Sequence, residues 1–189
     1  MDDFAAVLRA AQLGDEQAIA VLWRELNPRL VKFLVGRTGD AAEDLASETW
    51  LGVAQSIHGF SGGEIEFRAW VFTIARHRLV DWHRREQRRP KTYADDRALS
   101  AVVADDDPGV AALETLGTEA ALALVGRLSD DQAEVVLLRI LGDFDVAQVA
   151  RITGKRAGNV RMLQHRGLRR LSELLRASDR EDLDEDVTR

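Results

Sequence analysis

The sequence predicts an all-α protein: two small helical domains joined by a flexible acidic linker. Three observations support this. The chain holds only three prolines and few β-branched runs among abundant Ala, Leu and Arg, a composition that favours helices. Apolar residues recur at helical spacing on both sides of a gap. The gap itself, from Pro90 to about Leu116, has weak periodicity and the run Asp105-Asp106-Asp107-Pro108-Gly109, so it is not assigned a fold. At 189 residues the chain has room for one large domain or two small ones.

The first domain is expected at residues 1–90. Asp3 to Leu13 makes a short amphipathic helix that ends at Gly14. Asp15 to Val35 makes a second, with Ile19, Leu22, Trp23, Leu26, Leu30 and Phe33 inward and Pro28 as a kink. Asp40 to Ile57 makes a third, with Ala46, Trp50, Val53, Ala54 and Ile57 as its inner stripe. Phe60-Ser61-Gly62-Gly63-Glu64 then breaks the pattern. A long helix follows from about Ile65 to Gln87, buried through Phe67, Trp70, Val71, Ile74 and Ala75. The linker occupies 91–117. The second domain, 118–177, carries helices near Glu119–Arg127, Asp130–Leu141, Asp145–Ile152 and Ala157–Arg176. Residues 178–189 are expected to form an acidic disordered tail.

The last helix pair carries the most chemical information. Asp145 caps the short helix, Val146, Val149 and Ala150 give it an inner face, and Gly154 supplies a turn. In the longer helix Val160, Leu163, Gly167, Leu171 and Leu174 form an apolar stripe, while Arg161, Met162, His165 and Arg169 lie opposite. From Arg151 to Arg170 there are seven Lys or Arg residues and no Asp or Glu. A basic run by itself usually only faces water. Placed after a capped helix and a glycine turn, it reads as the second helix of a helix-turn-helix, which enters the DNA major groove. Asn159 and Arg161, in the first turns, suit base edges. Lys155 and Arg156, in the turn, suit phosphate.

Net charge is -6, yet the charge is segregated. Phe67 to Lys91 holds eight Arg or Lys residues against Asp81 and Glu86. Thr92 to Glu119 holds seven Asp or Glu residues against Arg97. Fields act locally, over about 10 Å in salt, so two basic patches predict two DNA-facing surfaces despite the acidic total. On the long helix His77, Asp81, Arg84, Arg85 and Arg88 share a face. Basic residues beside aromatic ones suit single-stranded DNA, although core packing is the expected role for at least two of Phe67, Trp70 and Trp82.

Catalytic readings fare less well. With no cysteine, thiol catalysis, disulfides and cysteine-based zinc sites are excluded. His77 and Asp81 are four apart but have no third ligand in the same stretch, and His58 is isolated in a loop. Asp44 and Glu48, one helical turn apart, have no converging partner, so they read as an acidic docking surface rather than an acid–base pair. The acidic Met1-Asp2-Asp3 start and the lack of a long apolar run predict a soluble cytoplasmic protein without membrane insertion.

Taken in order, these motifs resemble the extracytoplasmic-function (ECF) group of bacterial RNA polymerase sigma factors. Asp44-Leu45-Ala46-Ser47-Glu48-Thr49-Trp50 resembles that family's Asp-x-x-Gln-Glu-Thr-Phe segment, with Ser47 and Trp50 as departures. Phe60-Ser61-Gly62 and Phe67-Arg68-Ala69-Trp70 resemble its promoter-melting segment, and Ile74-Ala75-Arg76-His77-Arg78-Leu79-Val80-Asp81 its Ile-Ala-Arg-Asn-x-x-x-Asp helix. Val135-Val136-Leu137-Leu138-Arg139 opens the matching second domain, where Arg156-Ala157-Gly158-Asn159 replaces the commoner Ser-x-Gly-Thr.

The resemblance implies sigma domains two and four, no cofactor and no metal. It implies that Asp44, Leu45, Glu48, Trp50 and Leu51 dock on the β′ clamp helices of core RNA polymerase, with further contact to the β subunit. Ser61, Phe67, Arg68, Arg76, His77, Asp81, Arg84 and Arg85 would bind the melted minus-ten element. Lys155, Arg156, Asn159, Arg161, His165 and Arg166 would bind the minus-thirty-five element as duplex. The linker would thread toward the active-site cleft and RNA exit path, and an anti-sigma factor would restrain the protein. Two other readings are a stand-alone helix-turn-helix regulator of duplex DNA and a metal-dependent nucleic-acid enzyme.

Overall fold

A computed structural model describes residues 3–88 and 119–187, with side-chain surroundings described for 3–88 and 121–177. The expected linker lies outside the described residues. Local capping chemistry sets several helix starts. Asp3 accepts from the Ala6 N–H at 3.2 Å and starts α1, Phe4–Gln12. Asp15 accepts from the Gln17 and Ala18 N–H groups and starts α2, Glu16–Thr38. In each case a carboxylate satisfies N–H groups that the first turn leaves unpaired. Pro28 lies inside α2, which runs on to Thr38. Helix α3, Ala42–Ser56, is flanked by 3-10 turns at Gly39–Ala41 and Ile57–Gly59. Helix α4, Glu64–Arg88, completes the first domain.

The core between these helices is apolar and closely packed. Leu30, Phe33 and Leu34 of α2, Val53 of α3, and Val71, Phe72 and Ala75 of α4 are almost fully excluded from water. The Phe33 and Phe72 rings meet edge to face at 5.4 Å. Each such large side chain contributes about 1.5–3 kcal/mol on burial. Two inward expectations need correction. Trp23 is 45% exposed and Ala54 is exposed, because each lies at the margin of its helix's buried stripe.

In the second domain come α5, Glu119–Val125, α6, Asp130–Ile140, α7, Val146–Thr153, and α8, Ala157–Val187. Asp145 and Gln148 cap α7 reciprocally: the Gln148 N–H donates to Asp145 and the Asp145 N–H to the Gln148 carbonyl oxygen, both at 2.7 Å. Gly154 ends α7 in the left-handed region, φ 70°, where a side chain would be strained. Val160, Leu163, Gly167, Leu171 and Leu174 are buried, as the sequence predicts. The backbone of α8 continues to Val187. No Gly or Pro follows Gly167, and residues such as Arg180, Glu181 and Leu183 favour helix.

The two domains pack against each other. The Phe72 and Phe144 rings meet edge to face at 5.4 Å, both with 0% exposure. Gly36 lets α2 approach Leu137 and Leu122. Arg37, with a side chain only 6% exposed, pairs with Asp130 at 3.5 Å and donates to its carbonyl oxygen. Burial lowers the Arg37 pKa, and the nearby Glu134, Asp130 and Asp131 carboxylates oppose that effect.

Candidate nucleic-acid interface

The recognition face of α8 is open. Asn159, Arg161, His165 and Arg166 are exposed, as is Arg156 in the preceding turn. Arg139 of α6 ties the motif to the helix beneath it. Its Nε donates to Gln164 at 3.2 Å and its Nη1 donates to the Phe144 carbonyl, joining α6 to α8 and to the approach to α7. Lys155 departs from expectation. Its ammonium turns back onto α6, 2.8 Å from Asp131 and 4.0 Å from Glu134, with 16% side-chain exposure. Acidic residues 24 and 21 positions earlier hold it, a pairing that the turn's own sequence does not reveal.

A second set of cations lies on α4. His77, Asp81, Arg84 and Arg85 are exposed, and Arg84 pairs with Asp81 at 3.7 Å. This solvent-exposed pair is worth about 0–1 kcal/mol and does not immobilise the guanidinium. Arg76 and Arg68 face the second domain instead. Arg76 Nε donates to Glu134 Oε1 at 2.9 Å. Arg68 donates to the Gly142 carbonyl at 3.4 Å and lies 3.8 Å from Asp143. Glu134 is itself buried, at 5% exposure, and its two cationic neighbours compensate a charge that burial alone would disfavour.

Between the 3-10 turn and α4, Ser61, Gly62 and Gly63 form an exposed loop. Gly62 has φ 152° and a Cβ there would lie 2.8 Å from Glu66 Cβ, so the loop requires glycine. Phe67, an expected DNA contact, is 3% exposed in this arrangement. Its ring packs at 5.7 Å from Phe4, 5.5 Å from Phe60 and 5.8 Å from Trp70. Phe67 therefore supports the loop from beneath, and Ser61 is the expected site residue that the loop presents.

The acidic surface on α3 divides similarly. Asp44 and Leu51 are exposed and Glu48 is half-buried. Leu45, at 2% exposure, packs in the core. Trp50 is half-buried and its indole N–H donates to Asn27 at 3.0 Å. Asp44 and Glu48 line a cleft of about 410 Å³ with Trp82 and Arg85 from α4. The fold thus sets Arg85 beside the acidic pair, although the sequence suggests different roles for them.

Sequence reasoning did not single out Gln12, Phe72, Glu134 or Phe144. A lone glutamate inside the apolar run Ala133–Leu138 is the one local signal that could have marked Glu134. Among the described residues no three His, Asp or Glu side chains group as a metal site. None of the described helices is long and apolar enough to cross a membrane.

Two helical domains packed over one continuous core, each presenting exposed cations and one bearing a helix-turn-helix, define a two-domain DNA-binding architecture. Comparison with known proteins makes the class specific. Residues 22–89 match the family Sigma-70 region 2, and residues 118–171 match Sigma-70, region 4. The chain is 34% identical over 171 residues to the ECF RNA polymerase sigma factor BldN of Streptomyces coelicolor, covering 89% of this chain and 64% of BldN. It is 30% identical over 178 residues to the ECF RNA polymerase sigma factor ShbA of Streptomyces griseus subsp. griseus, covering 89% of this chain and 93% of ShbA. The sigma factor RpoE, solved in complex with the anti-sigma factor NepR from Bartonella quintana, shares the fold. The TM-score is 0.60 at 24% identity, over 82% of this chain and 94% of that one. The chain belongs to the ECF RNA polymerase sigma factors.

Proposed function

We propose that this protein binds core RNA polymerase in the cytoplasm and directs initiation at promoters that carry minus-ten and minus-thirty-five elements. It adds no catalytic chemistry of its own. The observation that supports this reading is the pair of exposed surfaces, α8 in one domain and the Ser61–Gly63 loop with α4 in the other, in segments that match regions 4 and 2. Asn159, Arg161, His165 and Arg166 read the minus-thirty-five duplex, and Arg156 grips phosphate. Ser61 and its loop receive a base extruded from the minus-ten element. His77, Arg84 and Arg85 then hold the melted strand. Asp44, Glu48 and Leu51 dock on the β′ clamp helices, with further contact to the β subunit. An anti-sigma factor restrains the free protein, as NepR binds RpoE.

The described arrangement is a closed form in this reading. The two elements lie about 25 base pairs apart, or about 85 Å at about 3.4 Å per pair, whereas the two domains here are in contact through Phe72 and Phe144. Binding both elements requires the domains to separate, which releases Arg68 and Arg76 from Asp143 and Glu134. The chain has no cysteine, so Ala20→Cys and Arg176→Cys, both at exposed positions, provide unique dye sites. Energy transfer should be high in the free protein and fall when core polymerase and promoter DNA are added. Transfer that stays high in an initiating complex would rule out this mechanism.

A further inference from the structure

We infer that Gln12, on the N-terminal helix α1, is a positioning residue for the base-capture loop and thereby sets selectivity at the extruded base. The inference rests on the promoter-melting role proposed above. Helix α1 lies outside the segment that matches Sigma-70 region 2, which begins at residue 22. Nevertheless, the Gln12 side-chain amide reaches across 45 and 48 positions to the base of the loop. Its Nε2 donates to the Ile57 carbonyl at 3.1 Å and to the Phe60 carbonyl at 2.8 Å.

These two acceptors bracket the 3-10 turn Ile57–Gly59 that leads into the loop. The Ile57 carbonyl also accepts from the Phe60 N–H at 3.0 Å. One amide therefore joins both ends of the turn and fixes the orientation of the peptide that precedes Ser61. Beyond it, Phe60 stacks on Trp70 at 5.0 Å and 29°. At the far end the Gly63 N–H donates to Glu66 at 3.0 Å. Ser61, Gly62 and Gly63 are exposed between these anchors, and the Gly63 carbonyl accepts from the Phe67 N–H at 2.9 Å, so the loop is tied at both ends. A base edge can be distinguished only by donors and acceptors held in place before it arrives, and Gln12 is the anchor contributed from outside the loop and α4.

The chemistry of the amide defines the test. Gln12→Met keeps the side chain's length but removes both donors. Gln12→Glu replaces the donors with a carboxylate facing two carbonyl oxygens. Each full-length variant is assembled with core polymerase and supplied with a promoter library randomised through both elements, and the transcripts are sequenced. Wild type should select one base strongly at the extruded minus-ten position. Both variants should lose at least about fivefold of that selectivity, a change equivalent to a modest interaction, while selectivity in the minus-thirty-five element stays as in wild type. Purely structural damage would lower transcript yield and melting temperature without changing the base ratios, and that result would overturn the inference. Unchanged selectivity in both variants would overturn it as well. Absence of minus-ten selectivity in wild type would instead refute the promoter-melting role itself. If Gln12→Glu does not fold, Gln12→Met alone decides.

Discussion

Gly167 and Gly158 lie on the same helix, and the same substitution should have opposite effects at the two positions. Gly167 is buried against α6, and a Cβ there would stand 2.7 Å from Val136 Cγ2. Val136 is 0% exposed and, being β-branched in a helix, is held to one favoured rotamer. Its methyl group has no room to move aside. Overpacking of this kind costs about 1–3 kcal/mol, against about 0.8–1.0 kcal/mol gained when Ala replaces Gly inside a helix. Gly167→Ala should therefore be destabilising, by up to about 2 kcal/mol. A Cβ at Gly158 meets nothing within 4 Å, and Gly158→Ala should stabilise by about 0.4–1 kcal/mol through the unfolded state. The assay is thermal unfolding of the two full-length variants beside wild type. In a chain of this length each kcal/mol moves the midpoint by about 2–4 °C, so the order should be Gly158→Ala above wild type above Gly167→Ala. A Gly167→Ala variant melting at or above Gly158→Ala would refute the packing assigned to α6 and α8.

Three further outcomes follow from the other surfaces. Arg161→Ala should weaken minus-thirty-five duplex binding by about 1–3 kcal/mol and relax preference at one base pair; equal loss on every sequence, measured by fluorescence anisotropy, would make Arg161 a phosphate contact. Asp44→Lys with Glu48→Lys should abolish association with core polymerase while leaving the circular dichroism melt near wild type, and retained association would remove the docking role. His83 should make stability fall in mild acid. Its Nε2 is buried without a hydrogen-bond partner among the described residues. Burial first, then the Arg37 charge, lowers its pKa, with Asp130 opposing. The folded protein then binds this proton less readily than the unfolded chain, so the stabilisation is present above the usual value of about 6.5 and is lost as pH drops below it. His83→Gln should flatten the melting-temperature difference between about pH 7.5 and about pH 5.5, and an unchanged difference would assign the acid sensitivity elsewhere.

The helix-turn-helix was legible because its determinants are local. Asp145 caps α7 three residues before Gln148, Gly154 must take a left-handed φ, and the apolar stripe on α8 follows one period. Polar and charged residues were harder to place, because their roles depend on what the fold brings opposite them. Arg76 is a surface cation by sequence, yet a glutamate 58 positions away turns it inward. Lys155 is taken by Asp131 and Glu134 in the same way. Leu45 and Phe67 sit within motifs that suggest contact with partners, and their burial depends on which helices the fold packs over them. Gln12 carries no local signal, since its two acceptors are backbone carbonyls, which every residue type supplies equally.

Sigma activity can be measured by mixing the purified full-length protein with bacterial core RNA polymerase, resolving the mixture by gel filtration, and assaying the fractions for transcription from a premelted template. A sigma factor co-elutes with the polymerase, and those fractions initiate. A folded protein that binds duplex DNA through α8 yet never associates with core polymerase would instead be a stand-alone helix-turn-helix regulator.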